Sequence, residues 1–201
     1  MLFRVYVDTP QKSCMRKLGC IYRTPQIKSY QKTRVHVNII YLNGRETMSR
    51  LKEIRAVVNE ELNKMENADK RTGAINHLYG VSLAATMIAK KRGLNPELAA
   101  MAAMMHDLHA YKSGSYDDHA HKGAVLAREI LGNLGLTNEE ETEIICSAIY
   151  HHDDKLVVDS PMDEVLKDAD VIHHCMNDLS KAVKDKEKVR FAALCKEFGM
   201  E

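Results

Sequence analysis

His106 and Asp107 stand side by side at the end of an apolar run rich in alanine and methionine, Met101 to Tyr111. Neighbours on a helix point about 100° apart, so the two cannot stack, but from a helix end they can straddle one ion. A neutral imidazole and a carboxylate together suit a borderline-to-hard divalent cation such as Mn, Fe, Zn or Mg. An isolated His-Asp pair would more often be a helix cap followed by a turn. This pair is not isolated. Of the ten histidines, only His36 lies outside the stretch from His77 to His174. Structural histidines would be scattered, so the clustering marks a site.

The elements that must position these side chains are helices. Ser49 reads as an N-cap, and Leu51, Ile54, Val58, Leu62 and Met65 then keep a three-to-four spacing. A second helix covers 73–91 and is closed by Gly93; Asn95-Pro96-Glu97 opens the third, which delivers His106-Asp107. After a polar loop at 112–118, a helix runs from Ala120 to Leu134. Thr137-x-x-Glu140 reads as the capping box of the next, which ends at His151-His152. A sixth helix starts at Pro161 and passes Asp170 to about Lys184, and a short one covers 188–198. His77, His106-Asp107, His119, His152 and Asp170 thus fall on five different helices or their ends. Helical bundles build metal sites from inward-facing side chains in this way.

Composition agrees with such a domain. Aromatic residues are only 5% and tryptophan is absent, while Ala, Leu, Ile and Met are abundant, which favours packed helices over sheets. A net charge of +1 gives no reason to expect a nucleic acid polymer or an anionic membrane surface as partner. The five cysteines form no Cys-x-x-Cys pair and are odd in number, as expected of free thiols in the cytoplasm. No apolar run reaches the ~20 residues of a membrane span.

Residues 1–47 differ from everything that follows. They carry two cysteines, two prolines, many basic residues and no helical period, with Val35 to Leu42 as a lone strand candidate. Two readings stand: an irregular N-terminal extension, or a segment that is not part of the natural protein. The second arises because Asn43-Gly-Arg-Glu-Thr-Met48 would be encoded by purine-rich codons of the kind found in a ribosome-binding site. A peptide from the endogenous protein mapping before Met48 would overturn it. The helical domain is expected over 48–201.

The order His77, His106-Asp107, then Asp170 within Leu166-Lys-Asp-Ala-Asp-Val-Ile172 resembles the HD superfamily of metal-dependent phosphohydrolases. His119-Ala-His-Lys-Gly-Ala124 and Ala148-Ile-Tyr-His-His152 are similar to flanking segments of many members, including those that bind two metals. The likeness covers about His77 to Asp178. It implies an all-α, HD-type bundle of about six or seven helices, hydrolysing a phosphate ester or anhydride of a nucleotide or small phosphorylated metabolite.

Carried over to this chain, the resemblance makes His77, His106, Asp107 and Asp170 the ligands of one divalent ion (Mn, Fe, Co, Ni, Zn or Mg). His119 and His152 would complete a second site or meet the substrate phosphate. Asp168 rivals Asp170, which is preferred because the aliphatic Val171-Ile172 follows it. Asp107 and His119 are the candidate catalytic residues, His119 as a proton carrier if one ion binds. Lys112, Lys122 and Lys155 are candidates for phosphate oxygens, and His173 and His174, three and four positions past Asp170, for the pocket lining. A homodimer is compatible with the sequence.

Two departures bear on the substrate. Val171 stands where many members carry Lys or Arg, and Arg71, six positions before His77, is poorly placed to replace the arginine that many nucleotidases carry closer to that histidine. Rival readings are a non-catalytic HD-fold nucleotide-binding or regulatory domain and an HD-type di-iron oxygenase. Cyclic dinucleotide hydrolysis is disfavoured, because Asp153-Asp-Lys-Leu156 replaces the expected Gly-Tyr-Pro signature.

Overall fold

The computed structural model describes residues 49–200, which form eight α-helices. These are α1 (Arg50–Asn63), α2 (Ala68–Lys91), α3 (Pro96–Met105), α4 (Leu108–Ser113), α5 (His119–Leu134), α6 (Glu139–His151), α7 (Pro161–Met176) and α8 (Asp185–Phe198). No strand occurs among the described residues. The strand candidate and the extension at 1–47 lie outside them. No helix among them is long and apolar enough to cross a membrane.

α3 is the interior element. Every residue from Leu98 to Met105 is buried, so the helix is apolar all round and must be covered on all sides. α2, α6, α7 and α1 pack on it, and Ala99, Ala102 and Ala103 let their backbones come close. Arg50 of α1 ties two further helices in place by bonding Glu97 of α3 and Glu141 of α6 at 2.7 and 2.8 Å.

The third expected helix is two helices. α3 ends at Met105, Asp107 takes φ −102° and ψ 5°, and α4 restarts at Leu108. That conformation lies in the sparsely used bridge region between helix and strand, where active-site residues recur. The break turns His106 and Asp107 out of the α3 core and accounts for the helix beyond the six or seven expected.

Three boundaries differ from the sequence reading. α2 starts a turn early, because the Asn67 side chain accepts the Lys70 amide. The capping box before α6 is Asn138 with Glu141, one residue later than Thr137 with Glu140. α7 stops at Met176 rather than near Lys184. Asp178 there accepts the amide and the hydroxyl of Ser180, a local pairing that competes with helical hydrogen bonds.

Candidate metal centre

Asp107 occupies the N-cap of α4, where an aspartate ordinarily accepts a backbone amide, yet it makes no such bond. Its two oxygens face histidines instead. Oδ2 lies 3.5 Å from His77 Nε2 and 3.7 Å from His106 Nε2. Oδ1 lies 3.4 Å from His119 Nε2 and 3.3 Å from His152 Nε2. Asp170 of α7 joins the first set, with Oδ1 at 3.4 Å from His77 Nε2 and 3.9 Å from His106 Nε2. One carboxylate thus serves two adjacent groups of donor atoms.

The histidines are presented with Nε2 forward. Nδ1 of His106, His119 and His152 each meets a main-chain carbonyl three residues upstream, at 2.8, 2.8 and 2.7 Å. A carbonyl only accepts, so Nδ1 carries the proton and the neutral ring leaves Nε2 bare. Burial pushes the fully enclosed His106 imidazole down to about 3, which keeps it neutral. His77 Nε2 then meets His106 Nε2 at 3.1 Å, and His119 Nε2 meets His152 Nε2 at 3.2 Å. The bare nitrogens of His119 and His152 repel each other at this distance, and the buried Asp107 Oδ1 and Asp170 Oδ1 have no hydrogen-bond partner. Lone pairs converging from imidazole and carboxylate without a donor between them are the donor set of a divalent cation. With metal–ligand bonds of about 2.0–2.2 Å, ligand atoms of one tetrahedral ion stand roughly 3.4 Å apart, as these do. The residues fit such an ion.

Behind the donors are groups that hold them. Lys155 Nζ donates to Asp170 Oδ2 at 2.7 Å and to the His152 carbonyl at 2.6 Å, linking the two groups of donors. Burial would raise the Asp170 carboxyl, but the Lys155 ammonium outweighs it and holds it well below the usual carboxylate range. His173 sits behind His77, Nδ1 to Nδ1 at 3.1 Å, in space that only Gly80 leaves open, because a Cβ there would fall on the His173 ring. Gly123 does the same for α5: a Cβ would stand 2.9 Å from the His106 carbonyl oxygen.

The model of the HD domain family matches residues 74–175, half of the chain. The chain belongs to the HD domain family. A protein of Bacillus subtilis (strain 168) named "Putative phosphohydrolase YueE" is 29% identical over 143 residues, covering 60% of this chain and 81% of that protein. A crystal structure described as a "predicted HD superfamily hydrolase" from an uncultured Thermotogales bacterium superposes with a TM-score of 0.51 at 20% identity, covering 75% of this chain and 90% of that one. At that identity the second likeness speaks for the HD fold alone.

Within this HD domain the residues singled out from sequence divide cleanly. His77, His106, Asp107, His119, His152 and Asp170 come together. Asp168, the rival to Asp170, faces away, bonding Arg92 at 2.7 Å and Arg190 at 2.8 Å. The three lysines assigned to phosphate are placed otherwise. Lys155 is buried beneath Asp170, with its ammonium occupied. Lys112 pairs with Glu61 at 3.1 Å and Lys122 folds back on the Asp117 carbonyl at 3.1 Å. Neither of these two lines the clefts beside the cluster.

Two clefts flank the donors. One, of about 310 Å³, is bounded by His77, Tyr111, His173, His174, Lys181 and Lys184. The other, of about 420 Å³, reaches His119 and carries Asp118, Asp153 and Asp154. A larger cleft of about 470 Å³ between α5 and α6 touches none of the six clustered residues. Sequence reasoning missed Lys181 and Lys184, because the stretch that carries them reads as the end of α7. It also left Tyr111 and Tyr116 unassigned, although their rings stand edge-on to His77 and His119.

Proposed function

We propose that this protein is a divalent-metal-dependent phosphohydrolase acting on a phosphate ester or anhydride of a nucleotide or small phosphorylated metabolite. The observation that carries the reading is the bridging position of Asp107, with each oxygen turned to its own pair of imidazole Nε2 atoms. The name of the Bacillus relative supports the same class. A divalent ion in such a site supplies a water of lowered pKa and neutralises charge gathering on phosphoryl oxygens.

The chain's own groups supply the rest. The cleft of about 310 Å³ is the substrate side, since Lys181 and Lys184 there offset Asp178 and Glu187, whereas the opposite cleft is lined by Asp118, Asp153 and Asp154 and by no lysine. Lys181 and Lys184 replace Lys112, Lys122 and Lys155 as the partners of phosphate oxygens. Tyr111, partly buried, lines that cleft and keeps its hydroxyl protonated because burial and the nearby Asp107 charge both raise it. His119 is the proton carrier if one ion binds and a ligand if two bind. Cys146, Cys175 and Cys195 are all free, which supports a reducing, cytoplasmic setting.

The test is release of phosphate or pyrophosphate from a panel of nucleotides and phosphorylated metabolites with Mn, Co, Ni or Mg against chelator. Metal-dependent turnover by the native protein that is lost in Asp107→Ala is expected, with Lys181→Ala raising KM. Silence of the metal-loaded native protein across the panel would overturn the reading. The complete second group of donors would then favour di-iron chemistry, read by anaerobic iron loading and optical spectroscopy.

A further inference from the structure

α8 lies outside the segment matched by the HD domain model, yet one of its side chains reaches the metal centre. Glu187 is buried, at 1% exposure, and its Oε1 lies 3.0 Å from His174 Nδ1. A carboxylate oxygen accepts, so His174 Nδ1 carries a proton and its ring turns Nε2 the other way. That Nε2 points back at Asp170 Oδ1, 3.4 Å away, the same oxygen and the same distance as for His77 Nε2. The His174 ring stacks on that of His77, with centroids 5.3 Å apart and planes 19° from parallel. His77, Asp170 and His174 each place one donor atom within 4.8 Å of the others.

These three do not make an independent third site. His77 belongs also to the group with His106 and Asp107, Asp170 Oδ1 lies 3.9 Å from His106 Nε2, and an imidazole nitrogen has one lone pair to give. His174 therefore extends that group or faces the substrate without touching the ion. The support behind it decides between the two. A buried carboxylate aimed at the rear nitrogen of a histidine fixes the tautomer and raises the basicity of the front one, as for histidines bound to metals. Asp170 Oδ1 also has no hydrogen-bond partner, so His174 does not donate to it.

Resting on the reading of the cluster as a metal centre, we propose that His174 is a further ligand of the ion held by His77, His106, Asp107 and Asp170, positioned by Glu187 of α8. The protein then gives that ion three imidazoles and two carboxylates. Five protein donors exceed the four of a tetrahedral zinc site and select an ion at ease with six, such as Mn, Fe, Co or Ni. α8 becomes a structural part of the centre, and the ion's environment depends on a helix beyond the HD segment.

The experiment loads the full-length protein with Co(II), whose visible absorption reports coordination number, and measures affinity by competition with a chelating dye. His174→Ala is expected to change the cobalt spectrum and weaken binding at least tenfold, with the native spectrum recovered on adding free imidazole. Glu187→Gln, which keeps the volume and an acceptor but not the charge, should weaken binding by about 10–100-fold while the circular dichroism of the metal-free protein is unchanged. Lys181→Ala, on the cleft wall, should leave both readouts as in the native protein. If native protein binds cobalt and His174→Ala or Glu187→Gln matches it in spectrum and affinity, the inference is overturned and the metal reading stands. If native protein binds no divalent ion at all, both fall together.

Discussion

His119 and His152 face each other with Nε2 atoms 3.2 Å apart, while the Nδ1–H of each ring is already donated to a main-chain carbonyl. Two neutral rings in that state cannot hydrogen-bond to each other, and His106, with its Nδ1–H likewise donated to a carbonyl, turns a bare Nε2 toward His77 at 3.1 Å. A cation between the rings converts repulsion into binding, so loading must favour the folded state. Thermal unfolding with and without chelator checks this. At an ion concentration about 100 times Kd the gain is about 2.7 kcal/mol, and Asp107→Ala should show no metal-dependent rise in Tm. An unchanged Tm for native protein across Mn, Co, Ni and Zn would contradict it.

Asp168 and Asp170 lie two positions apart on α7 and face different partners. Asp170→Asn should abolish the metal-dependent rise in Tm. Asp168→Asn should keep that rise but lower the stability of the metal-free protein, because Arg92 and Arg190 lose a shared acceptor. The reverse pattern in paired calorimetry would reassign the ligand.

Gly123→Ala tests how α5 meets the centre. The added methyl would stand 2.9 Å from the His106 carbonyl oxygen, and main chain yields little, so α5 must move outward. A loss of about 1–3 kcal/mol in urea unfolding is expected, with weaker metal binding because His119 rides on the same helix. Gly132→Ala, with open space around it, should lose neither and serves as the control.

Acid should weaken the helix-to-helix ion pairs. Hydrogen bonds from Arg92 hold Glu197 below its ordinary value, and those from Arg50 do the same for Glu141. For Glu164, burial alone would raise it, but Arg190 and its other donors outweigh burial. Each carboxyl binds its proton less readily when folded than when unfolded. Its contribution is therefore complete above the unfolded value of about 4.3 and fades as pH falls through the folded one. Urea midpoints of native protein and Arg92→Gln should differ at pH 7 and converge near pH 3. A gap that stayed constant would refute the assignment.

Much of the centre was legible because its donor side chains are of types seldom buried and four of them, His106, Asp107, His119 and His152, sit at helix ends. The glycines in Asn76-His-Leu-Tyr-Gly80 and His119-Ala-His-Lys-Gly123 have a physical meaning that spacing alone could not give: each leaves room for a group belonging to another helix. What sequence could not show was direction. Lys112, Lys122 and Lys155 are near the ligands along the chain, yet two fold onto neighbouring acids or carbonyls and one points inward. Lys181, Lys184 and Glu187 are unremarkable in a charged stretch and gain their places only because α7 stops at Met176. The split of α3 from α4 was hidden for a related reason, since nothing in Met105-His-Asp-Leu108 breaks a helix by propensity.

Lys155 sets the electrical balance of the centre. Asp107 and Asp170 bring two negative charges into the interior, and the Lys155 ammonium cancels one of them. Glu187, behind His174, is met by Lys184 at 3.6 Å, so a single negative charge is left, less than one dication carries. Any loaded form of the centre is therefore electropositive, and a second ion makes it more so. An arriving phosphate dianion meets a field that draws it inward, while inorganic phosphate released by hydrolysis would have to climb out of the same field. Departure of product rather than bond cleavage is the step this balance slows, and inorganic phosphate should compete with substrate more strongly in the native protein than in Lys155→Met.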